Sequence, residues 1–498
     1  MLIQGFGQLL RPFRRVICSP NKATLSSLPR HRNEEYAEGR EFKWLWPTYR
    51  EVEMFKAAHD VKSKHSGARY RYNTVKPLRP EHVEQALRHY QRKIPNCRCF
   101  IKERDGQLWV CEDLNPDIDF EYLEGTDSSA VIKQFCREPF FADRTPTWKA
   151  KLIPVYADAP CLLPEIKATY PYQYDLVMMP HHSFVDGFTM TLICGKLVEL
   201  LNDVIAGRPI DDEPYGVFLS NEDIVMVDKQ IEQDFLKEPE KLEAMKQELL
   251  ACNTTPILFK AFPPPGGESS IGRVYRNVDQ KTRTSFAKKC KENGVTFNSG
   301  LEAVVNMAII EMVRDAGVEV ESHHLSIHLA TDVRRYMKPR PLPILGLHSR
   351  PTVHRVETPS NVRDNFWDYT RKLHQRLLVL LKSGEALQQH VVREMTLSPP
   401  SPVEYHAGEP KLARDYGITN LGDLTTIIPG VGEHLQQTDL SMFNSTDQFE
   451  FMMLHQLFTF RGNMPYTLSY NEAYMATDTA TELMDRILTI MHEFGTSL

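Results

Sequence analysis

With 498 residues, 42% of them hydrophobic and 25% charged, the chain has an ordinary globular composition and enough length for at least one large core. A formal net charge of -6 provides no strong basic field, and no basic stripe with interleaved aromatics appears, which excludes nucleic acid as an expected partner. No apolar run approaches the roughly 20 residues needed to span a bilayer, so no membrane span is expected.

In chain order, residues 1–33 lack Asp and Glu but carry Arg11, Arg14, Arg15, Lys22, Arg30 and Arg32, with Leu2, Phe6, Leu9, Phe13 and Ile17 at helical spacing. This is the composition of a mitochondrial transit peptide, weakened by Gly5, Gly7 and Pro12; a disordered basic arm on a cytoplasmic protein is the alternative. Residues 1–39 are therefore set apart from the fold. From about residue 40, helices and strands alternate. Val83, Ala86, Leu87, Tyr90 and Ile94 form one helical face after Pro80. Arg98–Arg104 and Gln107–Cys111 read as two strands joined by Asp105-Gly106, a strong hairpin signal. Cys97 and Cys99 would then face the same side, packed in an apolar core. Lys149–Val155 and Tyr174–Met179 are further strands, and a helix from about Phe188 to Ala206 ends at Gly207.

Residues 221–251 are charged and helical, and Phe262-Pro-Pro-Pro-Gly-Gly-Glu-Ser-Ser270 is the clearest linker. The predicted division is a lobe over 40–262, a linker over 263–271 and a second lobe over 272–498. The second lobe opens with a strand at Val274–Val278. Ser299 and Glu302 make a capping-box signature for the helix carrying Leu301, Val304 and Ala308. His324–Ala330 alternates like a strand, so the pair His323-His324 reads as structural. Leu457–Arg461 and Tyr466–Tyr470 flank Gly462-Asn463 as a hairpin, and a last helix carries Leu483, Ile487, Ile490 and Phe494.

Nine cysteines, an odd count without a CxxC pair, argue against a complete disulfide framework and favour a reducing, intracellular setting. The sequons at Asn253 and Asn444 are expected by chance in a chain this long. A cytoplasmic location is expected, with the mitochondrion as the alternative set by the basic N-terminus. No metal site is expected.

The most informative segment is Met178-Met-Pro-His-His-Ser-Phe-Val-Asp-Gly-Phe-Thr189, between a strand and a helix. A chance His-His-x-x-x-Asp-Gly in a chain of this length has a probability on the order of a few in a thousand. The segment places a potential base, a short spacer, an acid and a glycine where an imidazole can point into a cleft, and histidine suits the work of a base because its ordinary pKa lies near neutrality. No Gly-x-Ser-x-Gly elbow is present. Met178 and Met179 could line a pocket, though core packing explains them equally well.

The spacing resembles the motif of the chloramphenicol-acetyltransferase-like, or condensation-domain, superfamily, whose members include alcohol acyltransferases and peptide-synthetase condensation domains. Further likenesses extend over roughly residues 40–495: Pro139-Phe140 with Pro146-Thr-Trp148, Cys290–Asn298, Leu345-Gly-Leu-His-Ser349 and Ile418-Thr-Asn-Leu-Gly422. The stand-alone alcohol-acyltransferase branch is the most similar, although the Asp-Phe-Gly-Trp-Gly motif of its plant members is absent. The resemblance implies an α/β fold with mixed sheets in two related lobes around a central channel. It makes His182 the catalytic base and His181 a support of the loop. Asp186 would turn away to pair with an arginine, best matched by Arg334 in Asp332-Val-Arg334, with Arg335 as the alternative. Gly187 would leave room for the donor. Ser349, Thr189 and Asn420 are candidates for oxyanion donors or channel lining.

The expected activity is transfer of an acyl group from a coenzyme A thioester, a co-substrate rather than a bound cofactor, to a small hydroxyl- or amine-bearing acceptor, by a monomer. A condensation-type transferase using a carrier-protein thioester is one alternative, and a non-catalytic binding protein of the same fold is another.

Overall fold

The computed structural model describes residues 41–61, 65–138, 140–156, 159–319, 321–397, 400–407, 412–445 and 450–496. The basic segment 1–39 lies outside them. Residues 41–498 form one compact unit.

Two mixed sheets organise it. The first has five strands in the order Leu435–Asn444, Ser66–Thr74, Tyr172–Pro180, Trp148–Val155 and Phe120–Tyr122, antiparallel except for the last pair. Its core packs the helices Pro80–Lys93 and Gly187–Ala206 against Tyr70, Leu152 and Leu176. The second has six strands, ordered Ser349–Pro359, Ser322–Asp332, Tyr416–Asp423, Met453–Thr459, Met464–Asn471 and Ile271–Val278. Helix Phe297–Asp315, buried from Ser299 to Val313, lies over it, with the C-terminal helix Thr477–Thr496 beside it. An antiparallel meander of Phe42–Pro47, Gln107–Asp113 and Cys99–Arg104 flanks the first sheet. Among the described residues, no helix is long and apolar enough to cross a membrane.

The lobes are less separate than a linker at 263–271 implies. Strand Leu435–Asn444 leaves the second half of the chain and pairs along its length with Ser66–Thr74, completing the first sheet. The short pair Ile344–Leu345 and Val217–Phe218 joins the halves a second time.

Local signals place most elements. Asp105 (φ 52°) and Gly106 (φ 77°) both occupy the left-handed region, as a type I′ hairpin requires. In the second hairpin these positions are Arg461 (φ 47°) and Gly462 (φ 83°), one residue earlier than the sequence suggests, with Phe460 and Asn463 closing the turn as a bridged pair. The helix expected to be capped by Ser299 starts earlier. Thr296 is its N-cap, accepting from Ser299 N at 3.2 Å, and Glu302 is buried in the helix interior instead of capping. Cys97 and Cys99 do not share a face, because Cys97 lies in a 3-10 turn before the strand and packs into a different core.

Candidate active site

The histidine loop lies where the buried strand Tyr172–Pro180 ends and two helix starts follow within six residues. His181 N–H donates to Thr147 O at 2.8 Å, holding the loop on the neighbouring strand. The His181 Nδ1 then accepts from Ser183 N at 3.2 Å, capping a single 3-10 turn over His182–Phe184. Val185 is extended, and Asp186 caps helix Gly187–Ala206, which ends on Gly207 in the left-handed conformation.

The two imidazoles have different surroundings. His181 is fully buried and stacks on His59, centroids 4.0 Å apart. Burial, followed by the charges of Lys56 and the neighbouring histidines, holds the His181 pKa well below the ordinary range, so it is neutral. His182 is half-buried and therefore the one of the pair that solvent reaches. Its ring lies parallel to that of Phe55, at 3.9 Å and 5°, and its backbone N–H donates to His59 Nε2 at 3.3 Å.

Asp186 is oriented away from this pair. Its Oδ2 accepts from Arg334 Nη1 and from His348 N, both at 2.8 Å; Oδ1 accepts from Arg334 Nη2 at 3.1 Å and Thr189 N at 2.9 Å. Burial raises the carboxyl pKa, but the Arg334 charge and these donors outweigh it and hold the group below the ordinary carboxylate range. The remaining guanidinium hydrogens reach Ile344 O, Asp332 Oδ1, Thr189 Oγ1 and Gly346 O. The structure thus brings Asp186 and Arg334 together across the two halves of the chain. Arg335 points elsewhere, donating to Asp332 O from an exposed position.

The candidate oxyanion donors fall in different places. Thr189 donates its hydroxyl to Gly346 O at 2.8 Å and accepts from Arg334 and from Gly346 N, so it is a member of the arginine anchor with no hydrogen left to give. Asn420 accepts from Gly422 N at 2.9 Å and donates weakly to Asn298, which makes it a turn former. Ser349, half-buried, opens its strand opposite Asp332. A Cβ on Gly187 would come 3.0 Å from Leu421 Cδ2, so the room this glycine leaves is used by a side chain of the second half. Met178 and Met179 belong to two buried cores on opposite faces of their strand. Among the described residues, no three His, Cys, Asp or Glu side chains come together as a metal-binding group.

Helix Arg50–Asp60, here α1, carried no motif and was missed in the sequence. It supplies Phe55 and His59, and Tyr49 just before it donates its hydroxyl to Leu347 O. Only the i, i+4 spacing of the two rings could have pointed to it.

No protein-family model matches the chain, and no curated protein matches it in sequence. Solved structures do. The chain is similar to a trichothecene 15-O-acetyltransferase from Fusarium sporotrichioides, with a TM-score of 0.66 at 12% identity, covering 91% of this chain and 95% of that one. It is also similar to the condensation domain of the monacolin K polyketide synthase (TM-score 0.61, 10% identity, 92% and 98% covered). The epimerization domain from the third module of tyrocidine synthetase B gives 0.61 at 13% identity, covering 92% and 99%. Over nearly its whole described length, the chain thus has the fold that this acetyltransferase and these two synthase domains share.

Proposed function

We propose that the chain is an acyltransferase that moves an acyl group from a coenzyme A thioester to a hydroxyl- or amine-bearing small molecule, with His182 as general base. The observation that supports this reading is the contrast within the pair: His181 is locked and neutral in the core, while His182 is half-buried, with its ring and backbone both held. In this reaction the imidazole takes the acceptor's proton as the oxygen or nitrogen attacks the thioester carbonyl. The tetrahedral intermediate collapses, the carbon–sulfur bond breaks, and the imidazolium returns the proton to the departing thiolate. No covalent enzyme intermediate is needed.

His182→Ala is expected to lower turnover by about 10²–10⁴-fold with the fold intact. The measurement is thiol release from acyl-CoAs of graded chain length against pooled alcohols and amines. Wild-type turnover in a folded His182→Ala protein would overturn the proposal. The likeness to condensation and epimerization domains supports a second reading, in which the donor is a carrier-protein thioester. Acyl-CoA and acyl-carrier donors tested side by side separate the two, and a protein that binds either without releasing thiol would be a non-catalytic relative.

A further inference from the structure

One face of α1 lies against the histidine loop residue by residue. Val52, Phe55 and His59, at i, i+3 and i+7, line one side of a helix. Val52 O accepts from Ser183 Oγ at 2.8 Å, the Phe55 ring covers the His182 ring, and His59 accepts from His182 N while stacking on His181. All three consecutive residues His181, His182 and Ser183 are therefore gripped by one helix.

The start of the same helix is held to the other half of the chain. Glu51 pairs with Arg350 at 2.6 Å, Arg350 is also bidentate to Asp228, and Tyr49 bonds the carbonyl of Leu347, next to the residue whose N–H reaches Asp186. α1 is thus fixed at both ends against the loops that meet at the Asp186–Arg334 pair.

Taking His182 as the base, we infer that Phe55 and His59 are positioning residues for its imidazole. Phe55 blocks one ring face and so restricts rotation about the ring's bond to Cβ. His59 fixes the backbone from which that ring projects. An imidazole free to turn would leave the acceptor's proton by an ångström or more, a displacement that costs up to about 10²-fold in rate. His59 can accept only while neutral, with its proton on Nδ1. Burial, followed by the nearby imidazoles His181, His65, His182 and His406, keeps its pKa well below the ordinary range.

The test compares Phe55→Leu with Phe55→Tyr, and His59→Phe with His59→Gln. The first of each pair removes the ring or the acceptor; the second retains one. With acetyl-CoA and an acceptor that releases thiol, Phe55→Leu and His59→Phe are expected to lower kcat about 10-fold with KM changed less than about twofold. Phe55→Tyr and His59→Gln should recover most of that loss. A second readout needs no substrate. The His182 ring protons, assigned by their disappearance in His182→Ala, should be shifted upfield by the Phe55 ring and move downfield in Phe55→Leu.

Unmoved ring signals in Phe55→Leu, or kcat unaltered in both damaging variants, would overturn the inference. Retained turnover in His182→Ala would instead overturn the reaction, while the ring shift would still report whether the clamp exists.

Discussion

At the scale of single residues, the Asp186–Arg334 pair decides where the histidine loop sits. Each carboxylate oxygen receives two N–H groups, and the guanidinium spends its remaining hydrogens on three oxygens of the 344–346 and 189 region and on Asp332. Removing one partner of such a pair strands the other charge away from water, at a cost of roughly 3–5 kcal/mol. Arg334→Met is expected to destabilise the protein by about that amount in urea unfolding. Arg334→Lys should remain damaging, because one ammonium cannot reproduce the planar fork. Combining Asp186→Asn with Arg334→Met should cost clearly less than the sum of the single changes. Strict additivity would show that the two groups do not act as a unit. The pairing of Asp186 with Arg334 was legible through the family resemblance, which each residue carries in a short motif beside a strand. Thr189 was a candidate for oxyanion donor or channel lining, and nothing local shows that its hydroxyl is spent on Gly346 O, 157 residues away.

At the scale of elements, legibility follows the range of the interactions. Helix Gly187–Ala206 and the Asp105-Gly106 hairpin were readable because their caps, apolar spacing and left-handed residues lie within the segment itself. Strand Leu435–Asn444 was not, because its pairing partner lies more than 360 residues upstream and no local signal records that. One side-chain amide of helix Gly187–Ala206, that of Asn202, ties it to the start of the strand. Asn202 Nδ2 donates to Val198 O at 2.9 Å and Leu435 O at 3.1 Å, and its Oδ1 accepts from His434 N and Leu435 N at 3.0 and 3.1 Å. Gly432 passes so close that a Cβ there would lie 2.2 Å from Asn202 Nδ2. Asn202→Leu keeps the volume but leaves those backbone groups unpaired, at an expected cost of about 2–4 kcal/mol. Hydrogen exchange is the sharper measurement. The amides of His434 and Leu435 should exchange faster while those of Val177–Met179 stay protected, and unaltered protection at 434–435 would remove Asn202 from this role.

At the scale of the whole molecule, composition suggested two lobes joined at 263–271, while buried charge chemistry left no mark in the sequence, because it depends on what each group packs against. Burial lowers the pKa of several histidines, six of them by a large margin: His59 and His181 well below the ordinary range, His65 and His348 to about 4, His354 and His455 to about 3. Between those values and about 6.5, the unfolded chain binds protons that the folded protein refuses. Stability therefore falls as pH drops below 6.5, by about 1.4 kcal/mol per pH unit for each uncompensated imidazole. Two buried acids act in the opposite direction. Burial raises Glu302 to about 8, and it raises Asp415 to about 6 against the donors Ile257 N and Ser326 N. Asp415 offsets part of the acid loss below pH 6. Glu302, its Oε1 3.4 Å from the neutral His354, is protonated in the fold and ionised in the unfolded chain, so its contribution to stability falls with rising pH from about 4.5 to about 8. Denaturant midpoints at pH 5.5, 6.5 and 7.5 are expected to be lowest at pH 5.5, with the steepest change between 5.5 and 6.5. Glu302→Gln should steepen the acid limb, because it removes a buried acid that offsets the histidines between about 4.5 and 8. A midpoint that rises from pH 6.5 to 5.5 would mean that the buried imidazoles accept protons without unfolding the protein.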